Sequence, residues 1–123
     1  MSDDLTRRVN GITADPVVDA LARASRYRPD DDHWVQPVAV LINDATIWVV
    51  ARQSRRNAPA RNMSNRFVIL NVMGQLVWSK SVTSLSGVAD ILRHNGWGAA
   101  EVRPASDDTR RAATRLRGLL RSG

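Results

Sequence analysis

A chain of 123 residues is long enough to fold as one domain around a single core. It contains no cysteine, which excludes disulfides, thiolate metal sites and cysteine nucleophiles. Basic side chains outnumber acidic ones 18 to 12, for a net charge of +6, and such a balance favours an anionic partner.

The charge is uneven along the chain. Residues 1–32 are slightly acidic, whereas residues 33–89 carry five arginines and Lys80 against Asp44 alone. Residues 90–123 add seven arginines against four acids. Lys80 is the only lysine, which fits a GC-rich coding bias as well as the suitability of arginine for bidentate phosphate contacts.

Residues 1–14 have few apolar positions and read as a flexible N-terminal arm, with a single α+β domain over residues 15–123. The arm lacks the apolar stretch of a secretory signal. The longest apolar run, Val38 to Ile42, is far shorter than the roughly 20 residues a membrane helix needs. These features give a cytoplasmic expectation with no membrane partner.

Asp15-Pro16 is a helix start: an aspartate that caps, then a proline at the first helical position. Val17, Val18, Leu21, Ala22 and Ala24 follow at helical spacing, and Pro29 predicts the end. Residues 29–36 read as a solvated connector. Its acids beside His33 lack the spacing and the glycine of a cation-binding loop, so no metal is expected.

From Pro37 the pattern becomes strand. Val38 to Ile42 and Thr46 to Val50 flank Asn43-Asp44, which predicts a hairpin covered on both faces. Residues 52–66 carry five arginines, no acid and neither structural period, and read as a long basic loop. Phe67 to Val72 and Leu76 to Trp78 make two further strands around Met73-Gly74. Thr83 or Ser84 opens a helix bearing Leu85, Val88, Ile91 and Leu92, and Asn95-Gly96 closes it. Trp97 is expected to fold back onto the core, and Glu101 to Arg103 to form a short edge strand. Ser106, with Asp107 and Asp108, then opens a basic C-terminal helix over 106–121. Its buried face is Ala112, Ala113, Leu116, Leu119 and Leu120.

The predicted fold is therefore α+β: a four- to five-stranded, mostly antiparallel sheet with about three helices, in the order α-β-β-β-β-α-β-α. The Gly-Trp step in LRHNGWGAAEV resembles the end of the first helix in small mRNA-interferase toxins. In that family a Gly-Ser-His segment follows and supplies the catalytic histidine. Here Trp97 is followed by Gly-Ala-Ala-Glu and no histidine lies beyond His94, so the resemblance assigns no family.

Two histidines and one tyrosine leave few acid–base or nucleophile choices, and no Gly-rich phosphate loop is present. His94, at a helix end, reads as a surface or capping residue. The expectation is a non-enzymatic protein without cofactor. Its candidate contacts to an anionic partner are Arg52, Arg55, Arg56, Arg61 and Arg66 on the loop and Arg110, Arg111, Arg115, Arg117 and Arg121 on the last helix. The partner is nucleic acid, DNA or RNA, read through phosphates. The alternative is an acidic protein surface, met by an adaptor or inhibitor of the sort mobile elements encode or by a subunit of a larger assembly. No aromatic residue is interleaved with these arginines in sequence. Trp34 is the tryptophan expected to be exposed, and Trp48 and Trp78 are expected in the core.

Overall fold

A computed structural model describes residues 15–55 and 66–122. The elements are α1 (Pro16–Ser25), β1 (His33–Asn43), β2 (Thr46–Arg55), β3 (Phe67–Asn71), β4 (Leu76–Val82), α2 (Leu85–His94), β5 (Glu101–Pro104), a 3-10 turn (Asp107–Thr109) and α3 (Arg110–Ser122). The strands form one five-stranded antiparallel sheet in the order β4-β3-β2-β1-β5. The α+β class and the element order agree with the sequence. The expected N-terminal arm, residues 1–14, lies outside the described residues.

Consecutive apolar residues in the central strands are explained by helices on both faces of the sheet. Val40, Val49 and Leu70 are fully buried in the cluster that includes Ala20 and Ala24 of α1. Leu41, Val50 and Ile69 point the other way, into the cluster with Leu92 of α2 and Leu116 of α3. A bulge between Pro37 and Ala39 inserts Val38 into β1. It shifts the alternation by one, so Val35 and Val40 both face α1 although they are five positions apart, an odd offset that would put them on opposite faces of a regular strand.

Local chemistry sets the element ends. The Asp15 carboxylate accepts from the Val17 N–H at 2.9 Å, and Arg23 pairs with Asp19 at 3.0 Å one turn apart. Helix α1 stops at Ser25, short of the proline. Asp44 takes a positive φ of 54° in the β1–β2 turn, a conformation aspartate tolerates better than most residues. Ser84 caps α2 by accepting from Gly87 N–H at 3.1 Å. A Cβ on Gly87 would lie 2.8 Å from Val82 Cγ1, so the bare glycine lets α2 approach β4 closely.

Two expected boundaries are corrected. β1 begins at His33, not Pro37, because Trp34 to Gln36 pair with Arg52 to Ser54 in unbroken register. For the same reason residues 52–55 belong to β2 and not to a loop. The apolar signal stops at Ala51 while the backbone ladder continues, with Gln53 N–H donating to the Arg66 carbonyl at 2.8 Å. Ladder hydrogen bonds do not depend on apolar side chains, so a sheet can extend past its hydrophobic pattern.

Candidate functional site

The extended β1–β2 ladder carries polar side chains onto the α3 side of the sheet. Gln36 and Arg52 are cross-strand partners there, and Trp34 and Ser54 form the next same-face pair outward. Val35, between the two β1 residues, faces α1, which fixes the direction of its neighbours. Above this corner sits the head of α3. Ala105 N–H donates to the Val38 carbonyl at 3.1 Å, tying the approach to α3 onto the bulge. Thr109 Oγ1 accepts from Ala105 and Ser106 N–H groups, both at 3.0 Å, and thereby closes the turn.

Between helix head and sheet lies a cavity of about 130 Å³ lined by Gln36, Val38, Arg52, Asp108, Thr109 and Ala112. The Arg52 guanidinium lies over the Phe67 ring, 5.8 Å from its centroid. Arg52 Nε is buried without a hydrogen-bond partner among the described residues. Ser54 is 2% exposed and its hydroxyl is likewise unpartnered. Trp34, across from Ser54, is 42% exposed. A second, open groove of about 860 Å³ runs along the outer side of the α3 head, lined by Asp107, Asp108, Arg110, Arg111, Thr114 and Arg115. Asp108 borders both hollows.

The ten arginines singled out from sequence have different fates. On α3, Arg110 is paired with Asp107 at 2.5 Å. Arg117 and Arg121 donate to the Val102 and Ala100 carbonyls at 2.7 and 2.9 Å, so they lie over edge strand β5 and the turn before it. Arg111 and Arg115 face the open groove and have neither ion pair nor hydrogen bond among the described residues. On the other segment Arg52 and Arg55 are strand residues and Arg66 immediately precedes β3. Arg56 and Arg61 lie outside the described residues. The chain leaves β2 and re-enters β3 at the sheet end that also carries the α3 head, since Arg52 pairs with both Gln36 and Phe67.

Elsewhere several titratable groups are engaged locally. His33 Nδ1 lies 2.8 Å from an Asp30 oxygen, and that hydrogen bond, with the Asp32 backbone N–H, holds the Asp30 carboxyl below its ordinary range. His94 Nδ1 meets the Asp90 carbonyl at 2.7 Å, an intrahelical contact at the end of α2. Arg93 donates to the Leu119 carbonyl at 2.6 Å and pairs with Asp90, joining α2 to the C-terminal end of α3. Among the described residues no group of three His, Asp or Glu side chains is placed to hold a metal ion. No described helix is long and apolar enough to cross a membrane.

Sequence reasoning missed Trp34, Gln36, Ser54 and Asp108 as neighbours of Arg52. The signal was present as the alternation Trp-x-Gln in one strand and Arg-x-Ser in the other, but it required extending both strands into polar sequence. Trp34 in particular is an exposed aromatic on the same face as Arg52, one cross-strand pair away, though far from it in the chain. Compared with known proteins, the chain matches no family model, no curated protein and no solved structure.

Proposed function

We propose that this is a small non-enzymatic protein that associates with nucleic acid through the end of the sheet and the head of α3. One observation carries the reading. Arg52 from β2 and Arg111 and Arg115 from α3 line adjoining hollows, and none has an internal acceptor or counter-ion among the described residues. Guanidinium groups left unpaired on one surface suit phosphate oxygens, which they bind in pairs and at short range. Arg55 ends β2 and Arg66 precedes β3 at this end of the sheet, and Arg56 and Arg61, which lie between them in sequence and outside the described residues, are further candidate contacts. Trp34 supplies a π-face on which an unpaired base stacks.

Arg117 and Arg121 support this surface by holding α3 against β5. Binding of labelled short duplex DNA and RNA, followed by fluorescence anisotropy, tests the reading. Saturable binding that weakens steeply with salt is expected. Absence of binding even at low salt overturns it.

A second reading, a protein-interaction module, is favoured by a different feature. Met73, Leu76 and Val77, on the β3–β4 turn and the edge strand β4, are 55%, 39% and 39% exposed. Stoichiometric recovery of one acidic protein, with no nucleic-acid binding, favours that reading.

A further inference from the structure

Arg52 brings a guanidinium to the cavity under the α3 head. Its Nε is buried without an acceptor among the described residues, an arrangement that an anion at the guanidinium would relieve. The Phe67 ring lies beneath the guanidinium, 5.8 Å from centroid to carbon, as a cation–π contact. The wall formed by Thr109 and Ala112 is the 3-10 turn and the first turn of α3, where the helix dipole is positive. Gln36, directly across the ladder from Arg52, adds an amide to the same wall. At about 130 Å³ the space equals roughly four water molecules and falls well below the volume of a small-molecule site. It accommodates one compact anionic group and no more.

We propose that this cavity is the seat of a single phosphate group, held by the Arg52 guanidinium and the Gln36 amide. Asp108 stands on the cavity lining without an ion pair to Arg52 or to any other described residue, so its carboxylate opposes the anion and moderates affinity. The inference rests on the nucleic-acid reading for one source of the group, the terminal phosphate of a strand. Free phosphate is the other source, with the same recognition chemistry.

The test is a titration of the full chain with inorganic phosphate, followed by ³¹P NMR and calorimetry, in wild type, Arg52→Gln and Asp108→Asn. Wild type is expected to saturate by roughly 10 mM phosphate. Arg52→Gln weakens binding by about ten-fold or more, and Asp108→Asn tightens it several-fold at unchanged melting temperature. Single strands with and without a 5′-phosphate assign the source. Tighter binding of the phosphorylated strand, lost in Arg52→Gln, assigns a strand terminus, and equal binding beside saturable inorganic phosphate assigns the free anion. No saturation of the wild type overturns the proposal, as does a folded Arg52→Gln that titrates like wild type. Should Arg52→Gln fail to fold, an Asp108→Asn variant with unchanged phosphate affinity overturns it equally. Duplex binding through Arg111 and Arg115 is measured separately, so the failure of either idea is visible without the other.

Discussion

Trp97 stacks on Trp48, with ring centroids 4.3 Å apart and planes inclined by 22°. Trp97 follows the end of α2, and its backbone N–H donates to the Leu92 carbonyl at 2.8 Å, so the stack docks the helix terminus onto strand β2. Trp97 is 5% exposed, and its removal leaves a cavity where α2, β2 and the turn into β5 meet. Trp97→Ala is expected to destabilise the fold by about 3–5 kcal/mol, with Trp97→Phe losing distinctly less. Urea unfolding measures both. Equal stability of the alanine variant contradicts the docking role.

The β3–β4 turn abuts helix α1. Gly74 has φ of 77°, and a Cβ there would sit 2.7 Å from the Arg23 carbonyl oxygen. Gly74→Ala is therefore strained both in backbone and in contact, and is expected to cost about 1–3 kcal/mol or more. Chemical denaturation checks it, and a neutral substitution shows that the turn has room to move.

Arg117 and Arg121 act on the edge strand. Their donation to the Val102 and Ala100 carbonyls satisfies acceptors at a sheet edge that would otherwise invite pairing with another chain. Replacing either with alanine is expected to cost about 1 kcal/mol, toward the modest end for such bonds because both side chains keep solvent contact. Affinity for phosphate or nucleic acid is expected to change little. A large loss of binding at unchanged stability reassigns them to the contact surface.

Two carboxylates give a pH signature. Asp30 is held below its ordinary pKa chiefly by its hydrogen bond with His33, and Glu101 chiefly by its hydrogen bond from Arg103 at 2.5 Å. A depressed carboxyl contributes its stabilisation in full above its unfolded-state pKa and loses it as pH falls through the lower folded-state value. The effect is therefore confined to acid below the ordinary carboxylate range. Carboxyl-detected NMR titration is expected to find both groups depressed, and His33→Ala is expected to return Asp30 toward its ordinary value. An unchanged Asp30 titration in that variant removes the stated cause.

Much of this fold was legible because local signals and burial agree. Asp15-Pro16, Ser84, Asn95-Gly96 and Ser106 mark helix ends by their chemistry, and the runs 38–42 and 46–50 mark strands covered on two faces. The corner proposed to bind phosphate was much less legible. Val38 in the bulge breaks the alternation of β1, and the polar residues Gln36, Gln53 and Ser54 carry no hydrophobic period, so the ladder that brings Trp34 beside Ser54 and Gln36 beside Arg52 showed only as a polar alternation without an apolar run. The helical spacing of α3 correctly put Arg117 and Arg121 away from its apolar stripe. It gave no view of β5, whose neighbouring carbonyls take up both side chains.

The central claim is that the arginines at the α3 head without a partner among the described residues contact phosphates. The most direct measurement is the salt dependence of duplex binding for wild type and an Arg111→Ala/Arg115→Ala double variant. Both residues are exposed and unpaired among the described residues, so the variant is expected to fold normally. The account predicts a linear fall of log affinity with log salt in wild type, and a slope shallower by about two units in the variant, one for each lost phosphate contact. Identical slopes and affinities in the two proteins contradict it.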